Sequence, residues 1–290
     1  MDCNKHHIET DKIVKDLPIN QGGIGRHKCA SCAFEKGYEN GKNHIVDFNI
    51  NDFISNLDRS QRGLHRHRDP IEAYELGYYH GQVEAGNHLT IQNKKGIAFS
   101  MRNYGLTIIA KSILNILKED NLPYAHATNV VNIAHGFEIL VKARIVEQHP
   151  LLIFDKISNN EKIKEGDLEF EDLLQNGRTI EYSKLPYQLW AATGYKITNI
   201  DLYNKFGKIR NQIIHFHVPM EISLSIEALK YSFEIIEKCV NEWWSNYTIF
   251  KYIKVFDYHL ETYKKIFDKL EELNLTTKYK FCPKHRYTLK

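Results

Sequence analysis

No stretch of this 290-residue chain is long and apolar enough to span a bilayer, and Met1 to Leu17 is charged throughout, without the apolar centre of a secretory signal. A membrane helix needs about 20 consecutive apolar residues, and a signal peptide needs an apolar run followed by a cleavage site. A soluble, cytoplasmic protein with no membrane partner is therefore expected. Cysteine is sparse: Cys3, Cys29, Cys32, Cys239 and Cys282 are odd in number and unevenly spaced, which argues against a disulfide framework. Strand-like alternation is also scarce. Strong charge is missing too. A formal net charge of +3 permits a nucleic-acid partner without arguing for one, since a dedicated electrostatic footprint is more basic.

What is present is enough apolar material for a real core: 42% of residues are hydrophobic and 12% aromatic. The length suits one large or two modest domains. The first ninety residues carry an internal duplication. Arg26-His27-Lys28-Cys29 through Ala33, Glu35, Gly37, Tyr38 and Gly41 recurs forty residues on as Arg66-His67-Arg68-Asp69 through Ala73, Glu75, Gly77, Tyr78 and Gly81. On helices, Ala33/Gly37/Gly41 and Ala73/Gly77/Gly81/Ala85 form ridges with no bulky side chain. Glycine inside a helix costs about 1 kcal/mol relative to alanine, so the ridges imply close helix-to-helix approach, with Phe34, Tyr38, Tyr74 and Tyr78 flanking the seam. The alternative is that the glycines break these segments into turns.

Cys29-x-x-Cys32 offers two thiolates at zinc-ligand spacing just ahead of the first of these helices. The second copy has Asp69 and Glu72 in their place, so a Cys2His2 set needs His27 and its counterpart His67, with His65 as a substitute and Cys282/His285 as a rival pair. Four protein ligands imply a structural zinc clamp; reduced, unliganded thiols are the alternative reading. Asn43 to Leu64 reads as a connector, as does Asn87 to Lys95.

From Ala98 the periodicity is helical. Leu106, Ile109, Ala110, Ile113, Leu114 and Leu117 mark one stripe, closed by Pro123. Val130, Ala134, Phe137, Val141 and Ile145 mark a second, closed by Pro150, with Glu138 and Lys142 as an i,i+4 surface ion pair. Shorter helices are expected at Glu169 to Gln175 and Tyr182 to Ala192. A helix from Asn199 to His217 follows, with Leu202, Phe206, Ile209 and Ile213 inward and Lys208, Asn211 and His215 outward. A long helix, Glu221 to Tyr247, and a last one, Ile249 to Leu273, precede a basic, aromatic terminus. The expected organisation is all-α: an N-terminal tail (1–21), a duplicated helical module with the CxxC (22–92), a helical bundle of four long and several short helices (97–248), and a C-terminal helix with a basic tail (249–290).

Arg210-Asn211-Gln212-Ile213-Ile214-His215 lies on the third long helix of the bundle. This hexapeptide, together with Gly136-Phe137-Glu138-Ile139-Leu140-Val141-Lys142-Ala143-Arg144 and Glu147-Gln148-His149, resembles HEPN-type helical domains, whose signature is an arginine, four residues and a histidine. The resemblance covers roughly Ala98 to Tyr247. It implies a metal-independent endoribonuclease in which the RNA 2′-OH attacks the adjacent phosphate. His215 would move protons, Arg210 would stabilise the growing phosphate charge, and Asn211 would orient His215 or the phosphate. Lys208 would help bind the RNA backbone, and Glu138 would stand behind these residues. The products would carry 2′,3′-cyclic phosphate and 5′-hydroxyl ends. A single motif per chain implies a homodimer, and Ile214 is consistent with a contact there. The family's occurrence in bacterial antiphage and toxin systems implies a defence role with a partner or activator protein. A non-catalytic nucleic-acid or nucleotide-binding adaptor and an oligomeric assembly protein are the alternatives.

Overall fold

The structure is a computed structural model. It describes the whole chain apart from residues 1, 16, 18–24, 44, 46–47, 61–67, 86–93, 118–124, 157–169, 217–221, 246, 258, 276–278, 283–285 and 290. It is mostly helical and divides into two compact units, Met1–Gly96 with Lys162–Asp172, and Ile97–Glu161 with Leu173–Lys290.

The first unit is built on the duplication. Its helices are α1 (Ile8–Val14), α2 (Ala30–Lys42), α3 (Ile50–Asn56) and α4 (Pro70–Glu84). α2 and α4 cross with their glycine ridges in reciprocal contact. A Cβ built on Gly37 or Gly41 would fall on the carbonyl oxygens of Tyr74 and Tyr78, and one built on Gly77 or Gly81 on those of Phe34 and Tyr38. The forty-residue register thus exchanges the contacts in pairs: Gly37 on Tyr74 answers Gly77 on Phe34, and Gly41 on Tyr78 answers Gly81 on Tyr38. The turn alternative is excluded, since all four glycines are helical. Val14, Leu17, Ala30, Ala33, Phe34, Ala73 and Tyr74 make the core of this unit. Inside it Asn40 donates to the Tyr74 hydroxyl at 2.7 Å. α4 starts as its sequence dictates: Asp69 caps it by accepting from the Ile71 N–H at 2.9 Å, and Pro70 takes the first turn, where no N–H is needed.

Two expectations are corrected here. The N-terminal stretch is not a loose tail, because α1 buries Val14 fully and Leu17 is 7% exposed. The connector after α2 contains α3, which is anchored by the fully buried Ile54 and capped by Asn49 accepting from the Asp52 N–H. Seven residues are too few for a clear helical period, which is why α3 does not stand out in the sequence.

The second unit begins within α5 (Lys94–Leu117) and continues through α6 (Ala125–Val146), β1 (Phe154–Lys156), α7 (Phe170–Asn176) from Leu173 onward, and β2 (Arg178–Thr179). α8 (Leu185–Thr193), α9 (Ile200–Phe216) and α10 (Ile222–Tyr231) follow. α10 passes through a π-helical segment, Ser232–Ile236, into α11 (Glu237–Trp243). The expected stripes are inside: Leu106, Ile109, Ala110 and Ile113 on α5, and Val130, Ala134, Phe137, Val141 and Ile145 on α6, are all 0% exposed. α5 and α6 approach closely at a further glycine pair, Gly105 against Gly136.

The last expected helix is two, α12 (Ile249–Phe256) and α13 (Leu260–Glu272), and the basic terminus is an antiparallel hairpin of β3 (Tyr279–Cys282) and β4 (Arg286–Leu289). The start of α12 is set by a buried carboxylate. Glu237 accepts from the Thr248 hydroxyl at 2.5 Å, the Ile249 N–H at 2.8 Å and the Asn241 amide at 2.8 Å. Phe250 packs against Phe267, Tyr279 and Tyr287, which joins the hairpin to the second unit. None of the helices in the described residues is long and apolar enough to cross a membrane.

Candidate functional site

Two groups of residues carry chemistry, one in each unit. In the first unit Cys3, His7, Cys29 and Cys32 bring their ligand atoms within 4.8 Å of one another. The Cys3 and Cys32 sulfurs are 3.5 Å apart. His7 Nε2 lies 3.4 Å from Cys3, 3.4 Å from Cys32 and 3.7 Å from Cys29. A tetrahedral ion about 2.3 Å from sulfur and about 2.0–2.1 Å from nitrogen separates its donors by about 3.5–3.8 Å. The separations of His7 from the three sulfurs and of Cys3 from Cys32 are close to that spacing, and the four residues could hold a metal ion.

Local backbone explains the convergence. Cys29 is the extended residue at the start of α2 and Cys32 lies in its first turn, so both sulfurs sit at a helix N-terminus, where partial positive charge favours thiolate. His27 adopts a left-handed φ of 62°, which turns the chain into this position. The strand-like segment Asp58 to Ser60 then clamps both partners. Its carbonyls accept from Cys3 N–H (Arg59, 2.7 Å) and Cys29 N–H (Asp58, 3.0 Å), and Ser60 N–H donates to the His27 carbonyl at 2.8 Å. The hydrogen bond with Cys32 pushes the Cys29 thiol down to about 5. The same bond, with burial, pushes Cys32 up.

The cysteine pair is thus where the CxxC placed it, and among the described residues the side chains that join it are Cys3 and His7 rather than His27. His27 is outside the cluster because its role is to turn the backbone. His67 and the substitute His65 lie outside the described residues. Cys282 is on β3 of the other unit, and His285 is outside the described residues. The members of the cluster that sequence reasoning missed, Cys3 and His7, were visible only as a Cys-x-x-x-His in a stretch read as a tail.

In the second unit α9 carries the arginine–histidine hexapeptide. Its fully inward side chains are Tyr203 and Phe206, with Gly207 between the next turns. Leu202, Ile209 and Ile213 are half-buried rather than central. The helix is rotated toward Tyr203 because that ring stacks on Tyr182 at 4.2 Å. Gly207 makes room for Tyr182, whose ring would be 2.5 Å from a Cβ there. Arg210 follows on the same side and reaches α6. Its guanidinium is 3.4 Å from Glu138 Oε2 and 3.1 Å from Asn211 Oδ1. Glu138 also pairs with Lys142 at 2.7 Å, and Lys142 donates to the Thr179 hydroxyl at 3.3 Å. The Glu138/Lys142 pair is therefore a buried pair, 13% and 11% exposed, and not the surface pair the i,i+4 spacing suggests.

Asn211, Lys208 and His215 are exposed. Five residues of α-helix place His215 about 140° around the axis from Arg210, so within one chain the two side chains leave different faces of α9. His135, one turn before Glu138 on α6, joins the electrostatics of this cluster. Desolvation holds its imidazole below the ordinary value, Glu138 opposes that, and Arg210 and Lys142 reinforce it. Burial raises Tyr182 and Tyr203 well above the ordinary tyrosine range, so both stay neutral beside this charge. Comparison with family models, with curated proteins and with solved structures finds no match to this chain.

Proposed function

We propose that the chain is a metal-independent endoribonuclease of the HEPN type, acting as a homodimer, and that its first unit is a zinc-stabilised module. The observation that carries the reading is the seating of Arg210. Glu138 of α6 orients its guanidinium, while the side chain keeps 25% of its surface exposed. A guanidinium that is oriented and still open to solvent is suited to a phosphate oxygen. Exposed Asn211, Lys208 and His215 extend the polar face along the same helix.

RNA brings its own nucleophile, the 2′-OH. One imidazole can take that proton and a second can protonate the leaving 5′-oxygen. With Arg210 and His215 on different faces of one α9, two copies in proximity supply an arginine from one and a histidine from the other to a shared phosphate, and two His215 side chains divide the acid and base roles. Asn211 bridges these functions as a hydrogen-bonding neighbour of Arg210, and Lys208 adds a backbone contact. Cys3, His7, Cys29 and Cys32 fit zinc in donor type and spacing. Four protein ligands leave no open position for a substrate, so the ion's part is to hold the fold. The resemblance adds a role in antiphage defence or as a toxin, under the control of a partner protein.

The test is cleavage of a labelled single-stranded RNA pool by zinc-loaded protein, in buffer passed over a chelating resin so that no free divalent ion remains. Wild type is expected to cut and leave cyclic-phosphate ends, while Arg210→Ala and His215→Ala lose about 10²–10⁴-fold in rate. Equal cleavage by all three variants overturns the assignment. RNA binding without cleavage, weakened in Arg210→Ala, replaces it with a binding adaptor.

A further inference from the structure

His7 does more than present Nε2 to three sulfurs. Its other ring nitrogen, Nδ1, lies 2.5 Å from Glu35 Oε1, and the Thr10 hydroxyl donates to the same oxygen at 3.3 Å. Glu35 is one helical turn beyond Cys32 on α2 and so shares its face. A carboxylate in this position accepts the Nδ1–H, fixes the tautomer with its lone pair on Nε2, and raises the basicity of that nitrogen toward a metal. The ring is 5% exposed, so it has no room to swing to another orientation.

We propose that Glu35 is a positioning residue of the metal centre, and that the ion it helps to hold fastens the N-terminal segment, residues 3–14, onto α2. This rests on the reading of Cys3, His7, Cys29 and Cys32 as a zinc site. Two of the ligands come from each side of the junction: Cys3 and His7 from the segment, Cys29 and Cys32 from the helix. The duplication supplies a control within the molecule. The second copy keeps the acid, as Glu75, but has Asp69 and Glu72 where the first has cysteines. The glutamate therefore belongs to the repeat, and the segment carrying Cys3 and His7 turns it to use in one copy alone. Direct contacts assist the docking, with Ser31 donating to Asp11 at 2.9 Å and Val14 in the core. These contacts lie within α1, whereas the ion would pin the segment ahead of it, at Cys3 and His7.

The experiment is a titration of metal-stripped full-length protein with Co²⁺ followed by displacement with Zn²⁺, for wild type, Glu35→Gln, Glu35→Ala, Cys3→Ser and His7→Ala. Visible absorption reports the coordination, and hydrogen exchange reports the protection of residues 8–14. Wild type is expected to give the intense bands of tetrahedral cobalt with sulfur charge transfer. Glu35→Ala is expected to give the same spectrum with affinity lowered about 10–100-fold, with Glu35→Gln, which still accepts a hydrogen bond, in between. Cys3→Ser is expected to lose sulfur charge-transfer intensity, a change that a fold-only effect of Glu35 would not produce. Residues 8–14 are expected to gain protection when the ion binds. If Glu35→Ala binds cobalt as tightly as wild type, the positioning role is overturned while the zinc reading stands. If protection of residues 8–14 is unchanged in a protein that binds the ion, the fastening role is overturned. If Cys3→Ser and His7→Ala match wild type in spectrum and affinity, the ligand set itself is wrong.

Discussion

Arg210 on α9 and Glu138 on α6 meet at 3.4 Å, and Glu138 holds Lys142 at the same time at 2.7 Å. One carboxylate therefore serves two cations in a partly desolvated setting. Removing its charge with Glu138→Gln leaves two like charges facing a neutral amide. Breaking a fully buried pair costs about 3–5 kcal/mol; with Arg210 25% exposed, screening by solvent reduces the expected loss to about 1–3 kcal/mol. Urea denaturation measures it. The double variant Glu138→Gln/Lys142→Met is expected to recover part of the loss, because it removes the stranded charge. A double variant that is worse than the sum of its parts contradicts this account.

The glycine seam gives a second expectation. A methyl group at Gly37 meets the Tyr74 carbonyl, and one at Gly77 meets that of Phe34. Neither obstacle is a side-chain tip that can rotate away, so α2 and α4 must separate. Gly37→Ala and Gly77→Ala should each destabilise by the upper end of the about 1–3 kcal/mol typical of overpacking, or more, despite alanine's better helix propensity. The reciprocal geometry further requires the two variants to lose similar stability in thermal melts. A neutral or stabilised Gly77→Ala contradicts the seam.

How much of this was legible in the sequence depends on the range of the interaction. The glycine crossing was readable because it is written twice, forty residues apart, and small residues at helical spacing have few other uses. The stripes of α5 and α6 were readable because each spans several turns of uninterrupted period. The candidate metal cluster was half readable. Cys29 and Cys32 are local partners, but Cys3 and His7 reach them only through a fold that residues 58–60 help to close, and no local spacing records that. The orientation of α9 was missed by a small rotation for a related reason. Leu202, Ile209 and Ile213 outrank Tyr203 and Gly207 on any hydrophobic scale, yet the ring stack of Tyr203 on Tyr182 decides the face. Glu138 and Lys142 read as a surface pair because i,i+4 spacing says nothing about what covers it. The break between α12 and α13, inside the one helix expected from Ile249 to Leu273, falls at Asp257, which turns extended and accepts from the His259 N–H at 2.8 Å.

The tyrosine pair behind α9 yields an asymmetry that can be measured. The Tyr182 and Tyr231 hydroxyls are 2.6 Å apart, and Tyr231 is fully buried with its ring stacked on Phe206 at 4.0 Å. Tyr231→Phe keeps the stack but takes away the hydroxyl's main partner, which costs about 1–2 kcal/mol for a polar group left poorly satisfied. Replacing both tyrosines by phenylalanine removes donor and acceptor together. The double variant is therefore expected to lose less than the sum of the two single variants in a denaturation cycle. Strict additivity would mean that the hydroxyls do not act on each other.

The same cluster adds a modest pH response through His135, which is an exposed residue of α6 beside Glu138. Desolvation holds its imidazole below the ordinary value in the folded protein, with Glu138 acting against the shift and Arg210 and Lys142 with it. The unfolded chain, with an ordinary histidine near 6.5, takes up the proton first as the solution is acidified. Between that value and the lower folded one, the unfolded state binds more protons than the native state. Stability must then rise with pH across this window, and is lost as pH falls through it. His135→Gln removes the difference in proton uptake, so the slope of stability against pH across this window is expected to be shallower in the variant than in wild type, with the two converging above it. Glu138→Gln should steepen it instead, because the one carboxylate that favours the imidazolium is gone while both cations remain. Denaturation midpoints collected at half-unit steps of pH for the three proteins decide it, and an unchanged slope in His135→Gln would place the acid sensitivity elsewhere.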